Sequence, residues 1–326
     1  VKKFLLIQTA FLGDVILMTP LVKELNRLYP DSQIDVLVRK GNESLLANNP
    51  KIHEVMIWDK KQKKYPHLFQ LLRKIRKEKY DEVIGIQRFA SSGILTGMSN
   101  AESRVGFQNN PFSYLFTRKI PHEFNTGKHE VERNLSLITH HEGAKTLVRP
   151  ELFPSQEDEQ AVYEYHKQPY YCIAPASVWF TKQLTQDKWE ELIDFLGNEH
   201  TIYLLGSPGD FELCERLKNA KPNFPIQNLA GKLSLLSSAA LMRNAKRNYV
   251  NDSGPLHIAS AVNAKVTAYF LSTIPAFGFG PLSEDSQILE TDLDLPCRPC
   301  GMHGHKACPE GHFKCNYSID MKKSLR

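Results

Sequence analysis

The stretch KFLLIQTAFLGDVILMTPLV, Lys3–Val22, decides how the chain is read. Phe4-Leu5-Leu6-Ile7 is a short apolar run of strand character. It breaks into a loop, and Asp14 stands where a second apolar run begins. A strand that enters a loop and then a helix is the first half of a βα unit. Helical spacing is regular over Pro20–Tyr29, so Pro20 is expected to kink the helix or to mark the late start of its regular part. Asp14 itself has two readings. It caps a helix start, or it stands over a ligand and takes a proton.

The same step repeats along the chain. KFLLIQ, QIDVLV, EVMIWD and DEVIGIQ read as strands, with helices expected over Pro20–Tyr29, His67–Lys79 and His129–His141. Alternation of this kind predicts parallel strands covered by helices. A proline-punctuated, acidic stretch, LVRPELFPSQEDEQAVYEYHKQP, reads as a linker. The pattern then restarts with YYCIAPAS, TQDKWEELIDFLG, TIYLLGSPGD, DFELCERLKNA, SLLSSAALMRNA, NYV, LHIASAV and KVTAYFL. The expectation is an α/β chain of two Rossmann-like domains facing across a cleft, split as residues 1–155 and 156–326. Ligands in such sheets sit outside the carboxyl ends of the strands.

Composition agrees with that class. The chain has 326 residues, 41% hydrophobic and 24% charged, which suits a globular protein larger than one core usually serves. No apolar run reaches the ~18 residues that span a bilayer, and the N-terminal segment lacks a secretory cleavage pattern. A cytoplasmic protein is expected. The formal charge is +5, and much of it falls in KKQKKYPHLFQLLRKIRKEK, Lys60–Lys79. There Leu68, Leu71, Leu72 and Ile75 recur at helical spacing among Arg73, Lys74, Arg76 and Lys77. The run is either a solvated helix face or a patch for anionic lipid or an acidic substrate. Aromatic residues are not interleaved with the charges, which argues against nucleic acid.

Four segments carry candidate chemistry. In NYVNDSGPLHIASAVNA a strand ends, Asn251, Asp252 and Ser253 offer capping side chains, Gly254 permits close approach, and Pro255 suits a first helical position. Such a helix start attracts an anion such as phosphate. His257 lies one turn further in, as a core residue or a ligand contact. In APASVWFTKQLTQDKW, Ser177 and Lys182 occupy a strand-to-helix loop at the same end of the sheet. Glu212 follows the GSPGDFEL turn, within reach of a ribose hydroxyl. No GxGxxG follows the first strand, and no GxxxxGK[ST], HExxH or GxSxG occurs. The tail CRPCGMHGHKACPEGHFKC holds Cys297, Cys300, Cys308 and Cys315. These are either ligands of a structural zinc or reduced thiols packed in a loop.

Read in order, LLIQTAFLGDVILMTPLVKELNRLYP, YDEVIGIQ, RVGF, KHEVERNLSLI, LAGKLSLLSSAALMRNA, NDSGPLHIASAV and the cysteine-rich tail resemble the heptosyltransferases of glycosyltransferase family 9. The resemblance runs over essentially the whole chain. It implies a GT-B fold, with acceptor bound mainly by the first domain and nucleotide sugar by the second. It implies inverting transfer of heptose from ADP-heptose to a lipid-linked lipopolysaccharide core, without a catalytic metal or other cofactor. The Lys60–Lys79 charge run, together with a lipid-linked acceptor, points to peripheral association with the anionic inner face of the bacterial inner membrane.

The resemblance also assigns roles. Asp14 matches the general base, in an acceptor loop that includes Ala10, Phe11 and Gly13. Lys182 matches the lysine on the donor phosphates, and Ser177 a hydroxyl residue near them. Asp252, Ser253, Gly254 and His257 match the donor-binding turn, while Glu212 and Leu233 resemble ribose and adenine contacts. The sequence departs from the family at Ala10-Phe11, where relatives carry small serines, and at Val178 and TKQLT in the phosphate loop. Three alternatives stand beside this reading: another nucleotide sugar, a nucleotide-sugar epimerase, and a non-catalytic glycolipid binder.

Overall fold

The computed structural model describes residues 1–61, 64–124 and 126–325. Gln62 and Lys63 of the basic run, with Asn125 and Arg326, lie outside the described residues. The chain divides into two compact units, Val1–Phe153 and Pro154–Arg326. The break falls in the proline-punctuated stretch, two residues before the boundary expected from sequence.

The first unit holds strands β1 (Lys3–Gln8), β2 (Gln33–Arg39), β3 (Glu54–Trp58), β4 (Glu82–Gly85), β5 (Ser103–Phe107) and β6 (Arg118–Ile120). Its helices are α1 (Leu12–Leu28), α2 (Lys64–Glu78), α3 (Ala90–Gly97) and α4 (Glu130–Leu135). The second unit holds β7 (Tyr170–Ala174), β8 (Thr201–Leu204), β9 (Ile226–Asn228), β10 (Asn248–Asn251), β11 (Val266–Phe270) and β12 (Ser286–Glu290). Its helices are α5 (Gln156–Val162), α6 (Gln186–Leu196), α7 (Phe211–Ala220), α8 (Leu235–Asn244) and α9 (Gly254–Ala261).

Both sheets are parallel. The first runs β3-β2-β1-β4-β5-β6 and the second β12-β11-β10-β7-β8-β9. Numbered within its own unit, the second repeats the order of the first, read from the opposite edge. This is the dinucleotide-fold order, in which the chain reverses direction beside the first strand. The reversal lies between β1 and β4, where Phe4 is level with Glu82, and between β7 and β10, where Cys172 is level with Asn248.

Continuous apolar sequence explains the central strands, because parallel strands bury both faces. Leu5 and Ile7 of β1 join Trp58 and the Leu68, Leu71, Leu72 and Ile75 stripe of α2 in one cluster. The apolar stripe of the basic run is thus core, and the charged side of α2 faces out together with Tyr65 and Phe69, which stand among the charges contrary to the expectation from sequence. Phe4, on the other face of β1, meets the Tyr29 ring at 5.4 Å just beyond α1. In the second unit Ile173 of β7 packs with Trp189, Leu192 and Ile193 of α6 and with Phe313 and Met321 from the tail.

Helix α1 corrects one expectation. It starts at Leu12, eight residues before Pro20, and runs unbroken through that proline. Pro20 has no N–H for the Ile16 carbonyl. The Thr19 hydroxyl donates to that oxygen instead, at 2.8 Å, so the turn keeps a partner for it. The helix expected over His129–His141 is shorter than its pattern: α4 ends at Leu135 and a 3₁₀ turn covers Ser136–Ile138.

Candidate functional site

Every donor residue named from sequence lies on one edge of the second sheet. Ser177 and Lys182 follow β7, Glu212 follows β8, Leu233 follows β9, and Asp252, Ser253, Gly254 and His257 follow β10. Those four strands are neighbours, so their carboxyl ends form one continuous rim. The rim includes the reversal point, where such sheets take ligands.

At the reversal point the loops are tied together by buried polar groups. Asn251, the last residue of β10 and fully buried, accepts from Leu184 N–H at 3.0 Å and donates to the Pro175 carbonyl at 2.9 Å. The capping role expected of Asn251 therefore gives way to fixing the β7 loop. The Lys182 ammonium lies 2.6 Å from the Asp252 carboxylate, and the Thr273 hydroxyl donates to the same carboxylate at 2.6 Å. Lys182 is thus held at the mouth of α9. Ser253 occupies the N-cap position of α9 without a side-chain capping bond; its hydroxyl donates back to the Asn251 carbonyl at 3.4 Å. The helix dipole and its first amides then favour an anion at that start. Ser177 accompanies them, its N–H donating to the Gln183 side chain at 3.1 Å.

The other donor candidates are at the rim but not in that cluster. Glu212 is exposed on the first turn of α7. Leu233 precedes Ser234, which caps α8 by accepting from Ser237 N–H at 2.9 Å. Gly231 connects the two loops: its φ is +75°, and a Cβ there would sit 2.8 Å from the Pro208 backbone. His257 is buried, its ring 6.3 Å from that of Phe279.

One part of the site escaped the sequence. The cysteine-rich tail folds back on the lysine loop. Thr181 N–H donates to the His305 carbonyl at 3.1 Å, and His305 N–H donates to the Thr181 hydroxyl at 2.7 Å. Gly304, at φ +77°, leaves room that a Cβ would fill, 2.9 Å from Thr181 Oγ1 and 3.0 Å from Lys182 Cγ. Phe180 stacks on Phe313 at 5.3 Å, and Cys300 N–H donates to the Ser272 carbonyl at 2.8 Å. The partners of Thr181, Lys182 and Phe180 lie more than a hundred residues away in sequence, so no local pattern signals them.

All six cysteines are free thiols. Burial, with Cys300 and Cys308 nearby, pushes the Cys315 thiol up to about 11. Burial and the neighbouring Cys297 and Cys308 also raise Cys300. Cys297 Sγ is 3.8 Å from His312 Nε2. The four cysteines proposed as zinc ligands, Cys297, Cys300, Cys308 and Cys315, are neighbours in the tail, with the Cys300 thiol donating to the Cys297 carbonyl at 3.0 Å. Among the described residues, the group with three ligand atoms all within 4.8 Å of one another is Glu82, His140 and His141.

The first unit presents a different surface at its own strand ends. Asp14 lies in the first turn of α1, and its carboxylate accepts from Phe11 N–H at 3.1 Å. The loop residues around it are braced: Asn42 donates to the Ala10 carbonyl at 3.0 Å, and the Arg39 guanidinium lies 4.9 Å from the Phe11 ring. Thr9 N–H donates to Gln87 across the reversal point at 3.0 Å. Beyond β2 and β3 a cavity of about 530 Å³ is lined by Arg39, Lys40, Gly41, Trp58, Asp59, Lys60 and Lys61, a basic lining for acidic groups. Near Asp14, burial raises the Glu130 carboxyl, and Asp14 adds to that while Arg133 and Arg88 oppose it. Burial, Arg88 and Arg133 push His122 down to about 4. Sequence reading had not singled out Glu130, Arg133, His122 or Arg88.

Two parallel six-stranded sheets of one strand order define an α/β chain of two dinucleotide-fold units. Comparison with known proteins gives the family. The profile of glycosyltransferase family 9 (heptosyltransferase) matches residues 68–311, so the chain belongs to that family and is a glycosyltransferase. It is 28% identical over 281 residues to lipopolysaccharide heptosyltransferase 3 of Escherichia coli, covering 81% of this chain and 82% of that one. E. coli ADP-heptose LPS heptosyltransferase II superposes with a TM-score of 0.76 at 20% identity, covering 99% and 100% of the two chains. E. coli heptosyltransferase WaaC with ADP-2-deoxy-2-fluoro heptose gives a TM-score of 0.71 at 19% identity over 89% and 93%.

Among the described residues no helix is long and apolar enough to cross a membrane.

Proposed function

We propose that this glycosyltransferase moves heptose from ADP-heptose to a hydroxyl of a lipopolysaccharide core acceptor, with inversion at the anomeric carbon. The observation that carries this reading is Lys182, held 2.6 Å from Asp252 beside the start of α9. The acceptor oxygen attacks the anomeric carbon, its proton passes to Asp14, and the bond to the diphosphate breaks. ADP leaves with the electron pair. The growing charge on the diphosphate is met by Lys182 and the amides of α9, donors worth about 10²–10³ in rate each when preorganised. Asp14 serves as base while it also braces its own helix through Phe11. Ser177 and His257 line the diphosphate and sugar, and Glu212 and Leu233 take the ribose and adenine. Ala10, Phe11 and Gly13 shape the acceptor loop. The basic cavity of Arg39, Lys40, Lys60 and Lys61 suits the acidic groups of a lipopolysaccharide core.

The names of the relatives support ADP-heptose as donor and lipopolysaccharide as acceptor. The first unit is the acceptor side and the second the donor side. Donor profiling tests the reading: ADP-heptose should be consumed only with acceptor present, in preference to ADP- and UDP-hexoses. Consumption without acceptor would instead indicate an epimerase or hydrolase. Peripheral membrane association at the cytoplasmic face rests on the outer side of α2, where Tyr65 and Phe69 are exposed near Arg73 and Lys77. Co-sedimentation with anionic but not neutral vesicles is the expected result.

A further inference from the structure

At the amino end of β4, the opposite end of the first sheet from the Asp14 loop, three side chains converge. Glu82, only 5% exposed, takes hydrogen bonds on both oxygens. His140 Nε2 lies 2.9 Å from Oε2 and His141 Nε2 lies 3.1 Å from Oε1. The Ser103 hydroxyl donates to Oε2 at 2.7 Å. The two imidazoles are neighbours in sequence with ring centroids 4.1 Å apart. The Tyr29 hydroxyl lies 2.9 Å from His141 Nδ1.

One ligand atom from each of the three residues lies within 4.8 Å of the other two, close enough for a single ion to meet all three. Two imidazoles and one carboxylate are the donor set of zinc and related divalent metals. Metal–ligand bonds of about 2.0–2.1 Å place tetrahedral ligands about 3.3 Å apart. The observed 2.9 and 3.1 Å contacts need to open by only a few tenths of an ångström.

We propose that Glu82, His140 and His141 form a structural site for a divalent transition metal of the zinc class. The metal replaces the two Nε2 protons, which move to Nδ1 of the same rings, so both imidazoles stay neutral. His141 Nδ1–H then donates to the Tyr29 oxygen, and Ser103 still holds Glu82. Outer partners of this kind orient the ligands of a metal site. The ion fastens the segment after α4 to the sheet. It lies a strand length from the Gly85 end of β4, about 10 Å, so it takes no part in transfer chemistry. The proposal is independent of the reading of donor and acceptor.

The test is cobalt titration of the full chain after chelator treatment. The background carries Cys300→Ser and Cys308→Ser, which removes thiolate binding at the tail. One equivalent of Co²⁺ should bind there, with visible ligand-field absorption and no thiolate-to-cobalt charge-transfer band. His140→Gln with His141→Gln keeps N–H donors for Glu82 and hence the fold, checked by circular dichroism, and should abolish that binding. Tyr29→Phe should weaken it by about 10–100-fold. Absence of Co²⁺ and Zn²⁺ binding in the cysteine-substituted protein would overturn the proposal. So would binding that survives the paired glutamine substitutions in a folded protein.

Discussion

The two sheets share one strand order, yet they put opposite chemistry at the point where that order reverses. In the first, β1 leads into a helix whose first turn carries Asp14, with its carboxylate on the backbone of Phe11. In the second, β7 leads into a loop that delivers Lys182, and the neighbouring β10 supplies its counter-ion and an anion-favouring helix start. The difference teaches that strand order specifies where a ligand is met, while the loop after each strand specifies what is done to it. On the proposed reading, Asp14 of the first unit is the proton acceptor and Lys182 of the second the charge for a departing anion.

The comparison breaks first at Lys182. Lys182→Ala should lower kcat by about 10²–10³ at temperatures where the variant is fully folded, beyond the stability lost by leaving the buried Asp252 carboxylate without its counter-ion. An unchanged kcat in the folded variant would make the lysine a structural ion pair. Next comes the apolar stripe of α2. Leu72→Ala should cost about 3 kcal/mol by denaturant unfolding and leave vesicle binding intact, because Leu72 is buried against the sheet. Loss of vesicle binding at unchanged stability would return the stripe to the membrane.

The tail strap sharpens the second half of the comparison. Gly304→Val places a branched side chain at φ +77° against Thr181 and Lys182. We expect about 1–3 kcal/mol lost and about 10-fold or more lost in kcat/KM for the donor, read by donor titration. The smallest effect is at Glu151, which takes ion pairs from Lys23 and Lys51 in the first unit. Burial alone would raise this carboxyl, but the two lysines hold it below its ordinary value. Its contribution is therefore present above the unfolded pKa of about 4.3 and fades as pH falls through the lower folded value. Glu151→Gln should cost about 0.5–1 kcal/mol near neutral pH, a gap that closes in acid.

Much of this architecture is legible in the sequence because buried parallel strands announce themselves as unbroken apolar runs. Short or charged strands do not: SRVGF and RKI carry charges, and β9 is three residues long. The early start of α1 is hidden by a phenylalanine and a glycine that read as loop, and its continuity through Pro20 depends on the Thr19 hydroxyl. The donor rim is legible because each of its residues follows a strand. The strap over Lys182, the buried Asn251 tie and the Glu82–His140–His141 group are not, since each joins segments tens to more than a hundred residues apart.

The most direct test is acceptor mass. The wild-type chain and Asp14→Asn would be incubated with ADP-heptose and a heptose-free lipopolysaccharide core acceptor, with ADP release followed alongside. Asparagine keeps an oxygen for the Phe11 amide but cannot take a proton. The account predicts one heptose added by the wild type, and a rate about 10²–10⁴ lower in the variant with ADP binding unchanged. Undiminished transfer by Asp14→Asn would contradict the base assignment, and no mass gain on any core acceptor would contradict heptose transfer itself.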